Sequence, residues 1–133
     1  MNRIIKLAIA LIVTMMFFGG CSNGSGNTDP GYEKISAEDA KNRMEENKTA
    51  IVVDVRTESE YKEGHIEGAI LIPNETIADA PPEELPDFDS EILIYCRSGN
   101  RSQQAAEKLV KMGYTNVSDF GGIINWPYDT VTD

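Results

Sequence analysis

The chain has 133 residues, 41% of them hydrophobic, enough for one domain with a core of ordinary size and too little for a multidomain assembly. Acidic residues outnumber basic ones by 22 to 12, giving a formal net charge of −10, which suits neither nucleic acid nor an electrostatic hold on anionic lipid. With two cysteines and one histidine, His65, there is no material for a His-rich or Cys-cluster metal site, and no cofactor is called for.

The amino terminus reads as a leader. Met1–Lys6 carries Arg3 and Lys6, Leu7–Phe18 is almost continuously apolar, and Gly19-Gly20 precede Cys21. A charged start, a short apolar run and small residues at the cut describe a secretory signal, and the run is shorter than the roughly 20 apolar residues of a stable membrane span. Phe18-Gly19-Gly20-Cys21 resembles the lipobox of bacterial lipoproteins, with Phe where Leu is usual. That resemblance implies cleavage after residue 20, lipidation of Cys21 and anchoring to a membrane on the extracytoplasmic side of a bacterial cell envelope. Cys96 is then the one free thiol, and no internal disulfide can form. Residues 1–20 are read as the signal, 21–31 as a flexible tether without a large apolar side chain, and 32–133 as the folded domain.

Within the domain, Tyr32–Ile35 predicts a short edge strand, and Ser36, with Asp39 three residues on, opens a helix ending at Asn47. Ala50–Val55 is a β-branched run of the kind buried on both faces of a parallel sheet. Thr57-x-x-Glu60 is a capping box for a short helix stopped by Gly64. Gly64–Pro73 leads through a loop into a third apolar strand, Asn74–Ala80 predicts a weak helix, and Pro81, Pro82 and Pro86 mark an exposed connection with a solvated acidic run to Asp89. Val117–Phe120 is a last short strand. Alternating strands and helices argue for an α/β fold: a mostly parallel central sheet flanked by helices.

The stretch Glu91–Ser102 carries the chemistry. Ile92–Tyr95 reads as a buried strand that stops at Cys96. Gly99 and Asn100, the residue types that best tolerate positive φ, lie in the loop that follows. A helical pattern opens at Ser102, runs from Gln103 to Lys111 and is capped by Gly113. A loop closing on a helix N-terminus gathers backbone N–H groups and the positive end of the helix dipole into one cup. A thiol at its lip, with Arg97 and Arg101 nearby, is favoured as the thiolate. The cup suits anionic sulfur species: thiolate, persulfide, thiosulfate or sulfite. A cysteine in this position can also be an inert core residue, but two arginines and a Gly-Asn pair are poor core material.

Cys96-Arg97-Ser98-Gly99-Asn100-Arg101-Ser102 resembles the active-site loop of rhodanese-type sulfurtransferases, in which Cys-x4-Arg cradles a cysteine persulfide. Protein tyrosine phosphatases, and the phosphatases built on the same fold, use a loop one residue longer, Cys-x5-Arg. Asp54-Val55-Arg56, Glu60-Tyr61, Gly64–Ala69 and Gly121-Gly122-x3-Trp126 resemble further signatures of a single rhodanese domain in order and spacing. The resemblance implies a sulfurtransferase in which Cys96 takes sulfur from an anionic donor such as thiosulfate and yields it to a thiol or cyanide. The N–H groups from Arg97 to Arg101, through Ser98, Gly99 and Asn100, would hold the anion. The Arg97 side chain would attract the donor and Arg101 would brace the loop. A persulfide carrier serving a protein partner, and a phosphatase on the same fold, are the alternatives. His65 is expected to be structural, Asp54 and Arg56 to pair or anchor a loop, and Trp126 and Tyr128 to pack.

Overall fold

The computed structural model describes residues 31–132. The leader, Cys21 and the tether as far as Pro30 lie outside the described residues, as does Asp133. Five strands form one sheet: β1 (Glu33–Lys34), β2 (Ile51–Asp54), β3 (Ile70–Leu71), β4 (Ile92–Cys96) and β5 (Val117–Gly122), in the order β1-β5-β4-β2-β3. All four pairings are parallel. Three α-helices, α1 (Ala37–Glu46), α2 (Glu58–Glu63) and α3 (Asn100–Met112), supply the connections together with two short 3₁₀ turns.

Local sequence explains the edges of these elements. Ser36 Oγ accepts the Asp39 N–H and starts α1, while Asn47 ends it. Thr57 and Glu60 exchange side-chain and backbone bonds in a reciprocal capping box at α2. Gly113, in the left-handed region at φ 109°, ends α3 and returns its N–H to Leu109 and Val110.

β4 is the spine, with all five residues buried. One face of the sheet packs Val53, Ile92, Ile94 and Cys96 against Ala105, Ala106 and Leu109 of α3. The other packs Val52, Leu93, Tyr95 and Phe120 against Ala40 of α1, with Trp126 closing the end. Side chains alternating along β4 thus feed two cores.

Three expectations are corrected here. The helix expected over Asn74–Ala80 is only a 3₁₀ turn, Asn74–Thr76. Ile77 is extended at its end and packs in the core, 1% exposed, and Pro81 disfavours helix in the residue before it. The acidic run to Asp89 is not merely solvated: Leu85 is buried and its carbonyl accepts the Tyr114 hydroxyl at 2.6 Å. The helix expected to open at Ser102 starts two residues earlier, because Gly99 at φ 111° turns the chain directly into it and Gln103 N–H closes the first turn on Gly99 O.

Candidate active site

β4 ends at Cys96, beyond which the chain folds back over the carboxyl end of the sheet, where ligands of open α/β sheets bind. The Cys96 sulfur accepts the Gly99 N–H at 3.0 Å and lies 3.5 Å from the Ser102 hydroxyl. That hydroxyl in turn reaches Gly99 O at 3.0 Å and Gly121 O at 3.4 Å. The sulfur is therefore bonded by the N-cap residue of the 13-residue helix α3, at the positive end of its dipole. Cys96 was expected at the lip of the cup. It lies at the bottom, 1% exposed, because Ser98 and Gly99 close across it.

The loop is held from beneath by the glycine pair that ends β5. A Cβ on Gly122 would collide with the Arg97 carbonyl and come within 2.7 Å of Ser98 Cα, so only glycine fits under the loop. Register between β4 and β5 shifts at this point, bringing Cys96 opposite Gly122, and Ile124 N–H binds Arg97 O at 3.3 Å. Gly121, at φ 86°, receives an Asp119 carboxylate oxygen on its N–H at 2.9 Å.

The two arginines of the loop differ in employment. Arg101 is clamped by both oxygens of Glu60, at 2.7 and 3.0 Å. The hydrogen bond from Arg101 holds the Glu60 carboxyl down to about 2. The Arg101 guanidinium is raised in return, first by Glu60 and in smaller part by the charge of Cys96. Arg97 is exposed and forms no ion pair with a described residue. Ser98 and Asn100 are exposed beside it, and Gly99 is half-buried.

Behind the loop lies a buried polar plug. Asp54 and Arg56 form an ion pair at 2.6 Å, the Tyr95 hydroxyl donates to Asp54 at 2.8 Å, and Arg56 also donates to Gly64 O at 2.7 Å. Burial works against the Arg56 guanidinium, but the bonds and charge of Asp54 outweigh it and raise its pKa. Burial foremost raises the Tyr95 phenol. The Tyr95 hydroxyl accepts the Ile66 N–H at 3.1 Å, so the plug fixes the His65 loop. His65 bonds the Tyr61 carbonyl through Nδ1 at 2.9 Å, stacks on the Tyr61 ring at 3.7 Å and bridges Val131. These contacts tie His65 into its own loop, and Asp54 and Arg56 to each other and to Gly64. Trp126 packs on Phe120 at 5.5 Å, while Tyr128 meets Trp126 edge-on but stays 37% exposed. Among the described residues no group of three or more His, Cys, Asp or Glu side chains gathers where it could hold a metal.

Ser102, Glu60 and Gly122 were not singled out as site residues from sequence, although each lies in a stretch that carries a signature. Glu60 meets Arg101 from 41 positions away and Ser102 meets Gly121 from 19, pairings that only the fold brings together.

An Escherichia coli thiosulfate sulfurtransferase, PspE, is 38% identical over 71 residues, covering 53% of this chain and 68% of that protein. A Candida albicans protein, adenylyltransferase and sulfurtransferase UBA4, is 38% identical over 115 residues, 80% of this chain, but the chain spans only 26% of its length. The crystal structure of a rhodanese-like domain protein from Staphylococcus aureus superposes with a TM-score of 0.65 at 32% identity, covering 76% of this chain and 98% of that one. The family model for the rhodanese-like domain matches residues 36–127, and the chain belongs to that family.

Proposed function

We propose that the domain is a sulfurtransferase that moves a sulfane sulfur from a small anionic donor such as thiosulfate, through a persulfide on Cys96, to a thiol or cyanide. The observation that carries this reading is the Cys96 sulfur at the mouth of helix α3, already hydrogen-bonded by the Gly99 N–H. The name of the Escherichia coli relative supports the choice of donor. In the first step the thiolate attacks the outer sulfur of thiosulfate, a sulfur–sulfur bond forms on Cys96, and sulfite leaves with the electron pair of the broken bond. In the second, cyanide or a thiolate attacks the outer sulfur of the persulfide and the Cys96 thiolate is released. Backbone N–H groups aimed at the anion serve both steps. Arg97 draws in the donor at the mouth, while Arg101, held by Glu60, keeps the loop in shape.

The test is thiosulfate-dependent thiocyanate formation by the purified chain beside Cys96→Ser. Turnover is expected to fall by about 10³-fold or more in the variant. A Cys96→Ser protein with full activity would remove Cys96 from the nucleophile's role. One observation favours the carrier alternative: Ile124, whose N–H binds Arg97 O, leaves its side chain 63% exposed beside the loop, a surface for a protein acceptor. A chain that gains one sulfur on Cys96 yet turns over neither cyanide nor small thiols would select that reading. The anchoring at Cys21 remains a proposal from the leader sequence. Membrane fractionation with Cys21→Ser tests it, and unchanged partitioning would reject lipidation.

A further inference from the structure

A second concavity, of about 310 Å³, adjoins the sulfur cup. Its walls come from the end of β1 with Lys34, the end of β5 with Asp119 and Gly121, and the loop leading into α3 with Gly99, Asn100 and Gln103. Gly99 belongs to both sites: its N–H binds the Cys96 sulfur, and it lines the concavity.

Lys34 and Asp119 are register partners in the parallel β1–β5 pair, so their side chains leave the same face of the sheet. Opposite charges so placed would ordinarily close on one another, yet no ion pair joins these two. Asp119 is 5% exposed and lines the concavity, so what remains open of it faces that space. One of its oxygens takes the Gly121 N–H, and the other has no partner among the described residues. The negative field is sensed nearby: the Tyr32 phenol is raised by burial first, then by Glu107 and Asp119. A buried carboxylate with an oxygen left open gains most from an ammonium donor. It also repels a dianionic donor.

We infer that this concavity binds the zwitterionic head of a small aminothiol acceptor, with Asp119 receiving its ammonium and Lys34 its carboxylate. The class is an α-amino acid thiol such as cysteine, and this rests on the sulfur-transfer reading above. Asn100 and Gln103 line the same space, and Gly99 is the residue it shares with the cup of Cys96. The bound thiolate attacks the outer sulfur of the Cys96 persulfide and forms a new sulfur–sulfur bond. The bond to Cys96 breaks with its electron pair going to the Cys96 thiolate, and the acceptor's proton ends on the product persulfide or in solvent. No oxidant or reductant enters.

The experiment uses the full chain with thiosulfate as donor and four acceptors: cyanide, cysteine, cysteamine and 3-mercaptopropionate. Asp119→Asn keeps an acceptor for Gly121 N–H, and Lys34→Gln alters an exposed side chain. Within each protein, kcat/KM for a thiol is divided by that for cyanide, which removes general damage. For Asp119→Asn the cysteine and cysteamine ratios are expected to fall at least about tenfold, chiefly through KM, with 3-mercaptopropionate unmoved. For Lys34→Gln the cysteine and 3-mercaptopropionate ratios are expected to fall, with cysteamine unmoved. Binding of S-methylcysteine, which has no thiol to react, is followed separately by amide shifts at Ser98, Gly99 and Asn100. Cyanide turnover with no preference for the zwitterion and no S-methylcysteine shifts overturns the pocket and leaves sulfur transfer standing. S-methylcysteine binding that Asp119→Asn abolishes, in a chain without any turnover, keeps the pocket and overturns the transfer reading.

Discussion

Glu60 holds two things at once. Its Oε1 closes the capping box on Thr57 N–H at 3.3 Å and takes Arg101 at 2.7 Å, while Oε2 takes the second guanidinium nitrogen. Gln at this position of a capping box serves as well as Glu, so Glu60→Gln isolates the charge pairing with Arg101. The carboxyl is held near 2 in the folded chain against an ordinary value of 4.5. A depressed carboxyl lends stability that is fully present above its unfolded value and lost as pH falls through its folded one. Wild type is therefore expected to exceed Glu60→Gln by about 1–2 kcal/mol at neutral pH, discounted for the quarter of the pair that faces solvent. The gap should close between roughly pH 4.5 and 2. Urea melts of both proteins across that range measure it; a gap that is constant with pH would place the contribution elsewhere than in the carboxylate.

At the scale of elements, what was readable in the sequence was local. The N-cap at Ser36, the capping box at Thr57, the β-branched run before Asp54 and the glycine stop at Gly113 are each decided within a few residues, and they stand in the structure as expected. The cup itself was readable for the same reason, since strand, cysteine, glycine turn and helix are consecutive. What escaped was decided by packing. Ile77 breaks a helix to enter the core, and Leu85 is drawn down by Tyr114. Gly122 explains why a glycine pair ends β5: it lies flush against the Arg97–Ser98 backbone, a contact between distant segments. Gly122→Ala must push that backbone aside, an overpacking that costs about 1–3 kcal/mol. Because the displaced atoms belong to the cup, sulfur transfer should fall by more than about tenfold even at temperatures where circular dichroism shows the variant folded. A folded Gly122→Ala with wild-type turnover would show that the loop does not depend on this support.

Across the whole molecule, the carboxyl end of the sheet is tied together by charge as much as by apolar packing. Asp54 at the end of β2 is fully buried and is surrounded by Arg56, by the Arg56 backbone N–H and by Tyr95 of the neighbouring strand. Arg56 extends the tie to Gly64, Tyr95 extends it to Ile66, and the Arg56 guanidinium lies over the Tyr95 ring at 5.7 Å. Tyr95 immediately precedes Cys96 on β4, so the plug is one residue away from the thiol. A buried pair contributes little beyond a well-packed apolar substitute, yet removing one member leaves a charge without compensation. Arg56→Met should accordingly cost about 3–5 kcal/mol. In the Asp54→Asn background the same change should cost markedly less, because no carboxylate is then left exposed to the apolar interior. Urea unfolding of the four proteins in a double-mutant cycle measures the coupling. Additive losses would mean that Arg56 acts through its bond to Gly64 alone. A large coupling with an unchanged kcat in the folded Asp54→Asn protein would assign the plug to stability, and a fall in kcat would extend its reach to Cys96.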